Sequence, residues 1–129
     1  MAVQRVVPNI PVEAGPGPDG EADAMRANAA FYGLLGFEEV MNQGWIMTLA
    51  SPSQPAAQVS VMTADKTAPV TPDMSVEVTD VDAAHTALVS AGAEIVYGPH
   101  DEEWGVRRFF VRDPNGRVIN VLSHGPNRR

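Results

Sequence analysis

Residues 73–92 run Asp73-Met-Ser-Val-Glu-Val-Thr-Asp-Val-Asp-Ala-Ala-His-Thr-Ala-Leu-Val-Ser-Ala-Gly92, and the order of signals in this stretch decides the fold. Met74, Val76 and Val78 alternate with Ser75 and Glu77, the period of a strand with one buried face. The strand is predicted over Asp73 to Thr79. Asp80 is placed to cap a helix over Val81 to Ala91, and Gly92 stops it. Toward the C-terminus, Glu94 to Tyr97 predicts a strand and Gly98 to Gly105 a loop. Val106 to Arg112 and Arg117 to His124 then form a hairpin across Asp113-Pro-Asn-Gly116, a strong turn signal.

Toward the N-terminus the same order recurs. Arg5 to Val12 reads as a strand whose Pro8 and Pro11 suit an edge or an irregular ladder. Glu13-Ala-Gly-Pro-Gly-Pro-Asp-Gly20 is a loop. Glu21 to Leu35 is rich in helix formers and ends at Gly36. Short strands follow at Glu38 to Met41, Trp45 to Ala50 and Ala57 to Thr63. The first copy is the longer, mainly by the Gly/Pro loop 14–20. Ala64 to Pro72 is polar and carries two prolines, which makes it a linker. The expected architecture is α+β: one domain of two β-α-β-β-β modules, 1–63 and 73–124, with linker 64–72 and tail 125–129.

A length of 129 residues suits one domain, and 44% hydrophobic residues suit a packed core. No run of about 18 apolar residues is present, so no spanning helix is expected. The N-terminus has no basic region followed by an apolar stretch, and there is no cysteine, so the cytoplasm is the expected compartment. A net charge of -7 with scattered Lys and Arg argues against nucleic acid. No cofactor-binding signature is present: the Gly15-Pro-Gly-Pro18 prolines remove the amides a phosphate loop needs, and no Gly-x-Ser-x-Gly elbow occurs.

Asn9-Ile-Pro-Val12 and Phe31-Tyr-Gly-Leu-Leu-Gly-Phe37 in the first module, and Glu77-Val-Thr-Asp-Val-Asp-Ala-Ala84 and Ala91-Gly-Ala93 in the second, carry a family resemblance. So do Trp104-Gly-Val-Arg107 and Phe109-Phe-Val-Arg-Asp-Pro-Asn-Gly116. In order and spacing the chain resembles the vicinal oxygen chelate superfamily, the glyoxalase/bleomycin-resistance/dioxygenase fold. The resemblance implies that each module curls its sheet, that the two sheets enclose a cleft, and that the protein is a homodimer.

Alternation sorts the strands. Met74, Val76 and Val78 should face their helix, leaving Asp73, Ser75 and Glu77 on the cavity side. Val59 and Val61 face the other helix, with Gln58, Ser60 and Met62 opposite. Ile119 and Val121 leave Val118, Asn120 and Leu122 on the cavity side. If Asp113 to Gly116 closes a two-residue hairpin, Phe109 lies across from Asn120 and Arg107 across from Leu122. Arg107, Phe109 and Val111 then join the cavity, and one residue of slip inverts that assignment.

Metal-dependent members of the resembled family take His, Gln or Glu ligands from the first and last strands of each module. Carried over, those positions hold Val7, Ser60, Asp73 and Asn120, of which only Asp73 is a competent ligand. No metal is therefore expected. His85 falls in a helix as a surface or packing residue, and His100 in a loop. His124 has cavity parity, which leaves an irregular Asp73, Glu77, His124 set as an alternative. Trp45 and Trp104, the only tryptophans, border the expected cleft, where flat rings stack on a planar ligand or take a cation. Phe31 and Tyr32 read as packing residues.

The leading expectation is a metal-independent binding protein, similar to drug-sequestering bleomycin-resistance proteins. It would hold a small planar or cationic molecule through Trp45, Trp104, Arg107, Phe109, Asn120, Asp73, Glu77 and Ser60. The alternatives are a lyase, isomerase or dioxygenase of the same superfamily, with an atypical metal site or Glu77 as base, and a module that only binds partners.

Overall fold

The Oδ1 atom of Asp80 accepts a hydrogen bond from the Ala83 amide at 3.0 Å, capping helix α2 (Val81–Ser90) as its sequence requires. Gly92, with φ of 84°, ends that helix. The computed structural model describes residues 1–124; the tail 125–129 lies outside them. The described residues divide into two compact units, one made of Met1–Val6 with residues 72–124, the other of Val7–Thr71.

In the first of these, the C-terminal module, α2 lies among strands β5 (Met74–Val78), β6 (Ile95–Asp101), β7 (Val106–Arg112) and β8 (Val118–His124). Strand β5 runs parallel to β8, while β7 pairs antiparallel with β8 and with β6. The first residues of β1 (Val3–Pro11) lie beside β5, so the order is β1-β5-β8-β7-β6. Val78, Val81, Ala84, Phe109, Val111 and Val121 form the core under α2.

The N-terminal module repeats the plan. Strand β1 pairs parallel to β4 (Gln58–Met62), which pairs antiparallel with β3 (Ile46–Ala50), and β3 with β2 (Glu38–Asn42). Helix α1 (Gly20–Gly33) covers Met47, Leu49, Val59 and Val61, with Met25 as its buried anchor. The chain is thus α+β, built from two β-α-β-β-β modules with mixed sheets.

Three expectations need correction. Helix α1 begins at Gly20, which closes back on the loop: the Gly15 amide bonds the Gly20 carbonyl at 3.1 Å, and a Cβ on Gly20 would collide with Gly15. Strand β6 runs on to Asp101 instead of ending at Tyr97, so His100 sits on a strand. Gly98-Pro99 reads as a breaker, but β6 is an edge strand, and edge strands absorb such residues at ladder irregularities. The register indeed shifts on both sides of Tyr97. Third, the β7–β8 hairpin has an odd loop. Asp113 and Arg117 face each other, with the Asp113 amide bonding the Arg117 carbonyl at 2.8 Å. Gly116 takes φ of 84°, the left-handed residue of a type I turn with a bulge.

Candidate functional site

That odd loop slips the register by one residue relative to expectation, and with it every side chain of β7 changes face. On the side of the C-terminal sheet turned away from α2, Ser75, Asn120, Phe110 and Tyr97 form one row across four strands. Glu77, Leu122, Arg108 and His100 form the next. This is not the solvated face of an open sheet. Phe110, Arg108, Leu122 and Asn120 are exposed by only 0%, 4%, 5% and 8%.

Arg108 is the centre of the face. Its Nε donates to Glu102 Oε2 at 2.6 Å, and both side chains are sealed from solvent. The guanidinium lies 4.9 Å from the Phe110 ring centroid, 5.2 Å from Trp104 and 5.5 Å from Tyr97. A buried ion pair recovers its desolvation cost only when further polar and ring contacts surround it, and here they do. The Tyr97 hydroxyl donates to the same Glu102 oxygen at 2.8 Å. Burial above all, and then that bond to a carboxylate, push the Tyr97 phenol above its ordinary pKa. Trp104 is half exposed and forms the outer wall of the cluster.

Beside it, Asn120 Nδ2 donates to Ser75 Oγ at 3.1 Å, whereas Asn120 Oδ1 is buried with no hydrogen-bond partner among the described residues. In the adjoining row Glu77 binds Arg5 Nε through one oxygen and lies against His124 Nδ1 through the other, each at 2.9 Å.

Arg107 and Phe109, expected on this face, belong to the other one. Phe109 is fully buried under α2, with its ring edge-on to His85 at 5.1 Å. Arg107 donates to Asp82 of α2 at 3.1 and 3.0 Å and to Asp101 at 3.3 Å. The Asp82 bond is the first cause that holds the Arg107 pKa above its usual value. Val111 follows them into the core. Asp73 lies just outside β5 and ties down the start of β8, its Oδ2 accepting the Val118 amide at 2.9 Å. Asn120, Glu77 and Trp104 are on the expected face or at its rim.

The N-terminal module carries the other two expected residues. Ser60 faces Asn9 on β1 and Thr48 on β3, and the Thr48 and Ser60 hydroxyls are 2.7 Å apart. Trp45 precedes β3, half-buried, its carbonyl accepting the Thr63 amide at 2.9 Å.

The registers also correct the positions at which a metal ligand would stand. Ser60 is paired with Asn9, two residues beyond Val7, and Asn120 with Ser75, two beyond Asp73. Each module therefore offers one amide and one hydroxyl. Neutral donors of this kind do not fit a divalent catalytic ion, which needs imidazole or carboxylate. Among the described residues no three His, Cys, Asp or Glu side chains cluster for a metal.

Arg108, Phe110, Tyr97 and Glu102 escaped the sequence reading. The signal lay in Asp113-Pro-Asn-Gly-Arg117, whose Asp at the first position and Gly at the fourth fit a three-residue loop as well as a two-residue one.

Two modules of mixed sheet and one helix each, with polar pairs at corresponding strand positions, define the fold class. The chain belongs to the Glyoxalase/Bleomycin resistance protein/Dioxygenase superfamily, whose profile matches residues 22–121. Among solved structures it is similar to a protein described as an NAD-dependent benzaldehyde dehydrogenase from Legionella pneumophila, with TM-score 0.66 and 14% identity over 92% of this chain and 98% of that one. A glyoxalase/bleomycin resistance protein/dioxygenase superfamily member from Vibrio splendidus 12B01 gives 0.64 and 15%, covering 95% and 99%. Methylmalonyl-CoA epimerase from Mycobacterium tuberculosis gives 0.61 and 20%, covering 97% and 89%. At these identities the likeness is of fold, and one fold hosts many chemistries. No curated protein matches the sequence significantly. Among the described residues no helix is long and apolar enough to cross a membrane.

Proposed function

We propose that this protein is a metal-independent binder of small planar molecules, working as a homodimer, and that the Asn120–Phe110–Arg108 face of the C-terminal module is its binding surface. The observation that carries the reading is Asn120 Oδ1, a buried acceptor without a donor. Such a group costs about 1–3 kcal/mol unless something satisfies it, and a ligand N–H or O–H would do so. Phe110 and Leu122 are the buried apolar neighbours of Asn120 in this face, and Trp104 offers an exposed ring at its rim. A planar uncharged ligand fits better than a cationic one, because the Arg108 guanidinium already lies over the rings and repels a second cation. Sequestration of such compounds, as the resemblance to drug-binding proteins implies, needs no reaction step.

The enzymatic alternative has less support. As a general base, Glu77 would have to give up charge-assisted contacts to both Arg5 and His124. The test is a thermal-shift screen of planar aromatic compounds with hydrogen-bond donors, run on the wild type, Asn120→Leu and Trp104→Ala. Stabilisation of the wild type that both variants lose supports binding here. Mn, Fe, Co, Ni and Zn are added in parallel. About one tightly held ion per chain, with loss of stability on chelation, would overturn the metal-independent reading and promote the enzyme.

A further inference from the structure

The two helices fill their sheets unequally. In the N-terminal module Met25, Ala29 and Tyr32 of α1 pack on the core, although Phe31, expected to pack with Tyr32, is exposed by 60%. In the C-terminal module α2 turns Ala84 and Ala87 toward its sheet. Between them and Val76, Ile119 and Val121 a groove of about 790 Å³ remains. The volume lies within the roughly 300–1,000 Å³ of pockets that hold drug-sized ligands. Its walls all belong to the C-terminal module, on the α2 side of the sheet and away from the Asn120 face.

The groove has an apolar end and a charged one. On the β1 side, Met1 and Val3 stand exposed by 68% and 62%. On the β7 side are its only charged side chains among the described residues, Glu94, Arg112 and Asp113. The Arg112 amide donates to the Glu94 carbonyl at 2.9 Å, which keeps these residues together. Arg112 is already engaged: its Nε lies 3.4 Å from a Glu94 carboxylate oxygen, and its guanidinium donates to the Gly116 carbonyl at 3.0 Å. Asp113 accepts the neutral amides of Asn115 and Arg117, each at 2.8 Å. Two carboxylates against one guanidinium leave this end net negative.

We propose that the α2 groove binds a drug-sized amphiphilic cation, its apolar body against Val76, Ile119 and Val121 and its ammonium group beside Glu94 and Asp113. Burial of the body supplies the affinity, and the carboxylates select the charge. An anionic amphiphile would set its head against this excess and against a chain of net charge -7. An extended peptide would bring backbone amides to aliphatic walls, where they lose their hydrogen bonds to water. The groove is separate from the Asn120 face, and the proposal does not depend on what that face binds.

Isothermal titration calorimetry of the full chain with decyltrimethylammonium and with decanoate, both below micelle formation, tests it. The cation is expected to saturate one site per chain and to bind about tenfold more tightly than the anion, or better. Ala87→Trp fills the groove from an exposed helix position and should weaken the cation by about tenfold. Ala87→Leu, with less bulk, serves should the first disturb the circular dichroism. Glu94→Gln combined with Asp113→Asn removes both carboxylates and should cost the cation about threefold. A cation that saturates no site, or that adds without limit, overturns the proposal, and so does decanoate binding equally well. Saturable binding that the Ala87 variants leave intact overturns it too. If Asn120→Leu abolishes that binding instead, the cation belongs to the sheet face and not to the groove.

Discussion

The same row of the two modules is filled in two ways. In the N-terminal module it reads Asn9, Ser60, Thr48; in the C-terminal module it reads Ser75, Asn120, Phe110. The amide and the hydroxyl have exchanged strands, and the third strand carries a hydroxyl in one module and a ring in the other. The next row diverges further, pairing Met62 with Ile46 in the first and Leu122 with Arg108 in the second. A shared backbone plan thus fixes where small polar groups sit, while the third strand decides what kind of surface results. One module keeps a hydrogen-bonded apolar face. The other buries an ion pair among three rings and leaves an acceptor unmet.

The largest break in this contrast should come from Glu102→Leu. It removes the Glu102 carboxylate from its buried pair with Arg108, and a buried pair broken on one side costs about 3–5 kcal/mol. Urea unfolding measures it, and adding Arg108→Met should recover most of the loss. The hydroxyl row of the other module should be much less sensitive. Thr48→Val deletes the bond to Ser60 without changing shape, at a cost of about 1 kcal/mol. If the two costs proved equal, the contrast between the modules would be one of residue type and not of energy.

A smaller effect sharpens the aromatic side of the comparison. Tyr97, held neutral by burial and by Glu102, should ionise above the usual value of about 10 in an ultraviolet titration. Its contribution to stability is present below the unfolded value and fades as pH rises through the raised folded one. Glu102→Gln should bring the titration down toward the ordinary range. The smallest effect belongs to Asp113, whose carboxylate accepts the Arg117 and Asn115 amides and titrates below the ordinary range. Its share of hairpin stability is present above the unfolded value of about 3.9 and is lost as pH falls through the lower folded one. Amide shifts of Asn115 and Arg117 should follow that titration and stop responding in Asp113→Asn.

Much of this was legible beforehand where local rules act alone. Asp80 capped its helix, Gly36 and Gly92 ended theirs with φ of 104° and 84°, and alternation put Val59, Val61, Val76 and Val121 on the helix faces. The site was only partly legible. Parity placed Asn120 and Glu77 on the sheet face turned away from α2, and Trp104 lies at the rim of the Arg108 cluster. Arg108 and Phe110 were displaced by their neighbours Arg107 and Phe109, because adjacent residues share chemistry and only the loop length separates their faces. Glu102 and Tyr97 were lost because an edge strand carried Gly98-Pro99 through its ladder, where sequence rules predict a loop. The exposure of Phe31 had no local signal, since the helix alone does not say which of its apolar residues the sheet can reach.

The face built on Asn120, Phe110 and Arg108 is proposed to receive a ligand. The most direct measurement is a titration of ¹⁵N-labelled protein with a planar aromatic amide. Saturable shifts of the Asn120 side-chain amide and the Trp104 indole N–H, moving together, with the Trp104 shift lost in Asn120→Leu, are the expected result. Shifts confined to other residues, or an Asn120 amide unmoved by any compound that stabilises the protein, would contradict it.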